Sequence, residues 1–165
     1  MPGHVIGKSL LRGFAGTVSR QIDAIIDALP NKESTAIEFG APLILNSNKD
    51  GCKNWTNSAS ATDFIGIAVR EVKTANTYGL GDAKYNQNDV VSILTRGSIT
   101  VKCTMDSTAT HEPVKNGKVY IRKATGVFVA YSESTDTVEL SGVVWAQNGI
   151  DANGIAEIVI LDRKS

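Results

Sequence analysis

The chain has few of the residues that carry chemistry or cross-links. It contains two cysteines and two histidines among 165 residues, and two cysteines cannot form a disulfide scaffold. No apolar run approaches the roughly 18 residues of a membrane-spanning helix, so we expect no membrane partner. The 17 basic residues balance 17 acidic ones, which argues against a nucleic-acid partner bound through bulk positive charge.

What is present is typical of one globular domain. Hydrophobic residues make up 42% of the chain and charged residues 21%, which separates it from disordered proteins. A chain of this length buries about 70% of the surface that its unfolded state exposes, so its core needs no metal or disulfide support. Residues 1–7 are too few and too polar for the apolar core of a signal peptide, so we expect synthesis in the cytoplasm.

The titratable residues show no catalytic pattern. His4 lies near the start of the chain and His111 lies in a polar stretch, and no partner stands at a spacing typical of a triad or a zinc site. The carboxylates are scattered, and no pair shares one predicted strand face as in a glycosidase. We therefore expect no catalytic residue and no enzymatic activity.

Metal and cofactor motifs are also incomplete. Cys52 and Cys103 stand 51 positions apart and read as free thiols, although a disulfide stays open if their strands meet. Residues 46–51 place oxygen side chains and a glycine as in a calcium loop, but Asn57 stands where the bidentate glutamate belongs, which favours a polar turn. The glycines of residues 79–81 lack a phosphate-loop context. We expect no metal, no cofactor and no small-molecule substrate.

From residue 36 onward the pattern indicates β-strands. Residues 64–72 form a nearly continuous apolar run, typical of a strand buried on both faces. Residues 90–94 and 99–103 are two further strand-like runs, and Gly97 between them indicates a bend in one long strand. Tight turns are indicated by Asp50-Gly51, Asn116-Gly117, Asn148-Gly149 and Asn153-Gly154. Short strands joined in this way predict a mainly β fold, an antiparallel β-barrel or sandwich.

The N-terminal segment differs from the remainder. Between residues 1 and 22 there are basic residues and glycines but no acidic residue, and the glycines disfavour a helix. We interpret residues 1–17 as an extended basic arm. Residues 18–30 place isoleucine and leucine at helical spacing ahead of Pro30, which predicts one short amphipathic helix. The predicted organisation is an N-terminal arm and linker over residues 1–35 and a β-barrel-like domain over residues 36–165.

Two segments are candidates for contacting other proteins. One is the N-terminal segment, and the other is the stretch 46–62, which reads as a long polar surface loop around Trp55. A β domain with these features and no catalytic pattern indicates binding to protein surfaces. The residues of these segments predicted to contact another protein are Arg12, Phe14, Arg20 and Trp55.

An ordered set of short stretches resembles the head structural cement, or capsid decoration, proteins of tailed bacteriophages. The stretches are residues 13–17 with Arg20, residues 37–42, residues 64–72, Tyr78 and Tyr85 ahead of residues 89–94, residues 96–101 and residues 117–120. They consist of packing and turn residues, so they point to a fold and, by association, to a role. The resemblance implies a non-enzymatic virion protein on the capsid exterior, with a β-barrel core and extended arms.

The resemblance also carries expectations about partners. It implies a homotrimer that contacts the major capsid protein of an expanded head and stabilises the shell. The expected partner of the four contact residues named above is therefore the capsid or another subunit. It suggests an extended conformation for residues 18–30, in conflict with the helical periodicity, and that conflict stays open here. The alternatives are another head-completion or tail component, or a small β-barrel ligand-binding domain. The best lining for a ligand pocket would be Tyr78, Tyr85, His111 and Trp55.

Overall fold

The computed structural model describes residues 11–71, 84–104, 111–133 and 135–162. Within these ranges the regular backbone is β-strand apart from a single 3-10 turn at Ala61–Asp63. The prediction of a mainly β, antiparallel fold is confirmed. The strands are β1 (Val18–Pro30), β2 (Ile37–Glu38), β3 (Pro42–Leu45), β4 (Cys52–Asn54), β5 (Phe64–Ala68), β6 (Lys84–Tyr85), β7 (Val90–Lys102), β8 (Lys118–Arg122), β9 (Phe128–Val129), β10 (Thr137–Trp145) and β11 (Ile155–Ile160).

Nine of the described strands form one curled sheet around β7. The order is β4-β3-β5-β7-β11-β10-β8-β9, and β1 pairs with β7 outside this path. Strand β5 pairs with Ile93 and Leu94, whereas β11 pairs with residues 97–102. Gly97 lies between the two halves with a φ of 119°. The prediction of one long strand that bends at Gly97 is therefore confirmed. Strands β2 and β6 form a separate two-stranded sheet.

Residues 18–30 form strand β1, so the predicted helix is wrong and the extended alternative holds. The strand pairs antiparallel with β7, from Val18 opposite Ile99 to Pro30 opposite Val90. Shifts in the register between β1 and β7 place four residues of β1, residues 21–24, opposite the single residue Gly97. Such a bulge breaks the twofold alternation by which strands are recognised. The isoleucines at helical spacing therefore cover no common buried face, and Ile22 is fully exposed.

The core consists of two apolar clusters on opposite sides of β5 and β7. Phe64 and Ile67 of β5 belong to the larger cluster, and Ile65 and Ala68 belong to the smaller one. All five residues of β5 are buried, as predicted for a strand covered on both faces. Apolar side chains therefore pack against both faces of β5 and β7, and residues 16–17 form backbone hydrogen bonds with Thr100 of β7.

The stretch 46–62 is not one long surface loop, and that prediction is wrong. Strand β4 lies within it, and Cys52 pairs with Leu45 of β3. Cys52, Trp55 and Ala59 are all buried, so the few apolar residues of this stretch bind it to the core. The predicted polar turn at its start is present, since the Asn46 amide donates to Asp50 Oδ1 at 2.6 Å and its carbonyl oxygen accepts the Asp50 N–H.

Both cysteines are predicted to be unreactive in the folded protein. They are free and buried, and burial raises the pKa of Cys52 to about 11 and that of Cys103 to about 12. The thiolate is the reactive form. We expect no labelling by a soluble thiol reagent at mildly alkaline pH, and two labelled thiols per chain after unfolding in denaturant. Rapid labelling of either thiol in the native protein would contradict this burial.

Candidate functional site

The described part of the N-terminal arm, residues 11–17, is bound to the chain's own sheet. The Arg12 backbone N–H donates to Oδ2 of Asp151 at 2.7 Å. The Arg12 guanidinium donates to the carbonyl oxygens of Gly149 at 2.6 Å and Asn148 at 2.7 Å. These partners lie in the connection between β10 and β11, so Arg12 fixes the arm at one end of the sheet.

Asp151 is the buried acceptor at the centre of this contact. Burial alone would raise its pKa, but N–H groups of Arg12, Ile155 and Asn153 donate to its carboxylate and the Arg12 charge lies close by. Together these groups outweigh burial and hold the pKa of Asp151 below its ordinary value. The carboxylate is therefore ionised at neutral pH and links the arm to the start of β11.

The arm lies against the sheet at Gly16. The Gly16 N–H donates to the Thr100 carbonyl oxygen, and the Gly16 carbonyl oxygen accepts the N–H of Arg70, both at 2.7 Å. Gly16 and Gly40 both have positive φ. A Cβ on Gly16 would lie 2.8 Å from the Gly40 nitrogen and 2.9 Å from the Ala68 carbonyl oxygen. The backbones thus approach so closely that only glycine fits at this position.

The docked arm forms one wall of a groove, here called the arm groove. It has a volume of about 470 Å³. Its walls are Phe14 and Ala15 of the arm, residues 36 and 38–42, Asn54 and Trp55, Arg70, Lys102, and the turn 125–128. Segments that are distant in sequence meet here because the arm crosses the ends of several strands.

Aromatic rings and cationic groups distinguish the arm groove. The Phe14 ring is 45% exposed, and the Arg70 guanidinium carbon lies 4.1 Å from the centre of that ring. Phe39 is half-buried and packs edge-to-face against Tyr85, with ring centres 5.2 Å apart. Glu38 contributes a carboxylate, which lies 3.3 Å from the Lys84 ammonium. The groove therefore combines apolar walls with charged groups of both signs.

The structure brings two of the four predicted contact residues together. Phe14 and Trp55 both line the arm groove, although Trp55 is only 8% exposed and belongs mainly to the core. Arg12 is engaged within its own chain. Arg20 lies elsewhere, near the exposed Ile22, with its Nε 3.9 Å from Oε1 of the buried Glu157. The role of these four residues in contacting a capsid or another subunit stays a prediction.

Sequence reasoning missed the charged and aromatic residues that complete the arm groove. Glu38, Phe39 and Arg70 stand inside the stretches that carry the family resemblance, so a signal for them existed. Lys102 lies within the predicted strand 99–103, and nothing in its sequence context distinguishes it from the other lysines. Its position in the groove results from the pairing of β7 with the arm.

The described residues among those predicted to line a ligand pocket do not share one pocket, because Trp55 lines the arm groove whereas Tyr85 and His111 do not. Tyr85 is buried, and its hydroxyl donates to the Val69 carbonyl oxygen at 2.6 Å. His111 packs on Tyr131, with ring centres 5.0 Å apart, and Tyr78 lies outside the described residues. Among the residues that the structure describes, no three His, Cys, Asp or Glu side chains are grouped to hold a metal ion. A helix long and apolar enough to cross a membrane is absent from the same residues.

Comparison with known proteins finds a matching family model and similar solved structures. A family model described as structural cement protein (E217 gp24/Pam3 gp6) matches residues 4–161. A solved structure titled "The capsid of Myoviridae Phage XM1" contains a chain with the same fold, with a TM-score of 0.71 and 17% sequence identity over 98% of each chain. A search of curated proteins finds no relative.

Replacing Gly16 by alanine should detach the arm. A non-glycine residue at positive φ costs about 1–3 kcal/mol, and the clash with the Gly40 nitrogen adds about 1–3 kcal/mol of overpacking. Gly13 is the matched control, because its φ is also positive but a Cβ there meets nothing within 4 Å. We expect Gly16→Ala to lower the free energy of unfolding, measured in urea, by more than Gly13→Ala. Equal losses would mean that the close approach is absent.

Asp151→Asn should destabilise the protein in a pH-dependent way. The variant removes a buried, charged acceptor, and we expect a loss of about 1–3 kcal/mol at neutral pH. Because the folded state lowers the pKa of Asp151, its contribution is complete above the ordinary value of 3.8 and is lost as pH falls through the folded value. Unfolding measured from neutral to acidic pH should show the two proteins converging below that point, with the exposed Asp162→Asn as control. A difference independent of pH would contradict this role.

Proposed function

The chain belongs to the family of phage structural cement proteins, and we propose that it binds the exterior of the expanded head by contacting the major capsid protein. It is a structural protein with a capsid-stabilising role. The observation that carries the proposal is the family match over residues 4–161, because it includes both the arm and the sheet. We place the protein in the virion, on the capsid exterior, after synthesis in the bacterial cytoplasm.

The surface of the N-terminal segment supports a docking role. Seven large apolar side chains are exposed among the described residues, and four of them, Leu11, Phe14, Ile22 and Ile26, lie between residues 11 and 26. Single exposed apolar residues are common, but a concentration in one segment indicates a contact surface. Among the described strands, β1 pairs with β7 alone, and an unpaired strand edge is a template for a partner.

The proposed assembly is a homotrimer that binds through many equivalent contacts. A cement protein occupies repeated positions on the shell, so weak single contacts gain strength when several subunits engage together. Because the net charge of the chain is zero, any electrostatic attraction to such sites comes from local groups of charges and not from the net charge. We propose no catalytic turnover for this protein, because capsid stabilisation needs binding alone.

A pelleting experiment tests the proposal. Purified protein is mixed with expanded heads that lack it and, separately, with unexpanded shells, and both are sedimented. We expect saturable co-sedimentation with expanded heads, and the number of chains bound per head at saturation gives the number of binding sites on the shell. We expect little co-sedimentation with unexpanded shells. If the protein remains in the supernatant with both particles, the proposal fails and a tail or head-completion role becomes the better explanation.

A further inference from the structure

The arm groove has the anatomy of a protein-binding surface. Protein interfaces combine an apolar centre with a polar rim, and aromatic residues and arginine are enriched where most binding energy resides. Phe14 and Phe39 present accessible ring surface in the groove, and Arg70 and Lys102 stand around them. The lining offers no convergent set of buried polar groups of the kind that orients a small molecule.

The charges of the groove select for an acidic partner. Arg70 and Lys102 are its cationic residues and Glu38 is its one carboxylate. Glu38 is already paired with Lys84, whereas Lys102 is exposed and forms no ion pair with any described carboxylate. Lys102 therefore places a positive charge at the rim of the groove, on a chain whose net charge is zero. A carboxylate entering beside Lys102 gains a partner without breaking an existing pair.

The groove is also organised before any partner arrives. Phe14 stands between two fixed points, since Arg12 is clamped to Asp151 and Gly16 is bonded to Thr100 and Arg70. The Thr100 hydroxyl donates to the Phe14 carbonyl oxygen at 2.6 Å. An exposed aromatic side chain on a fixed backbone loses little entropy on binding. Such a residue is suited to anchor an apolar side chain of the partner.

We infer that the arm groove binds an extended segment of the major capsid protein in which a carboxylate side chain lies beside an apolar one. This inference rests on the proposed function, which requires a contact with the capsid shell. The apolar side chain packs between the rings of Phe14 and Phe39, and the carboxylate lies at the rim near Lys102. The groove volume of about 470 Å³ accommodates a few side chains, as expected of one anchor among several contacts.

Three variants test the inference on expanded heads that lack the protein. Phe14→Ala removes the anchor, Lys102→Glu reverses the charge at the rim, and Lys115→Glu reverses the charge of an exposed lysine outside the groove. We expect Phe14→Ala and Lys102→Glu each to weaken head binding by about tenfold or more, the loss typical of an interface hot spot. Lys115→Glu should bind within about twofold of the wild type. Raising the salt concentration should weaken the wild type more than Lys102→Glu.

The outcomes separate this inference from the proposed function. If the wild type does not bind heads, the proposed function fails. If the wild type binds and both groove variants bind equally well, the proposed function stands and the groove inference is overturned. If Lys102→Glu changes the oligomeric state in sedimentation while its subunits still bind heads normally, the groove holds a second copy of the chain, which also overturns the inference.

A cross-linking experiment identifies the occupant directly. Thr125 is exposed on the turn that borders the groove, so Thr125→benzoylphenylalanine places a photoreactive group at the rim. Irradiation on heads should yield a cross-link to a capsid-protein peptide with an acidic and an apolar residue in sequence proximity, identified by mass spectrometry. The same group at Lys115 is the control and should not label that peptide. Cross-links only between copies of this chain would contradict the inference.

Discussion

The hydrogen bonds of strand β7 hold the described structure together. One half of the strand pairs with β5, the other half pairs with β11, and β1 runs along both. The bend at Gly97 makes this possible, because a positive φ and the approach of Ala24 to 3.0 Å of a Cβ position leave room only for glycine. The arm also binds to β7 through Thr100. The arm groove therefore depends on the bend of β7 and on the hydrogen bonds between the arm and Thr100.

In the proposed binding surface, residues 11–17 of the arm are already held in place before a partner binds. Flexible arms lose conformational freedom when they dock, and that loss subtracts from affinity. In this protein residues 11–17 are already held by the clamp at Arg12 and the close backbone approach at Gly16. The conformational entropy of residues 11–17 is therefore lost when the chain folds and not when it binds a partner. In the proposed multivalent binding, each contact then retains more of its interaction energy.

The predictions from sequence succeeded where the signal was local. The buried strand over β5, the bend at Gly97 and the polar turn at Asn46 follow from neighbouring residues and appear in the structure. The helix at residues 18–30 failed because the bulge opposite Gly97 changes the side-chain period, and the cause of that bulge lies some 70 positions later in the chain. Phe14 and Trp55 were selected from separate segments, and their shared groove was not apparent from either.

The sequence alone determined the β character of the chain, its turns, the absence of a recognisable catalytic pattern and its resemblance to cement proteins, because composition, alternation and turn residues act over short distances. Only the tertiary structure decided that residues 18–30 are a strand, that Trp55 is buried, and that Arg70 and Lys102 lie around Phe14. These features depend on pairing between distant segments, and strand pairing is stabilised by non-local contacts that a local pattern does not encode.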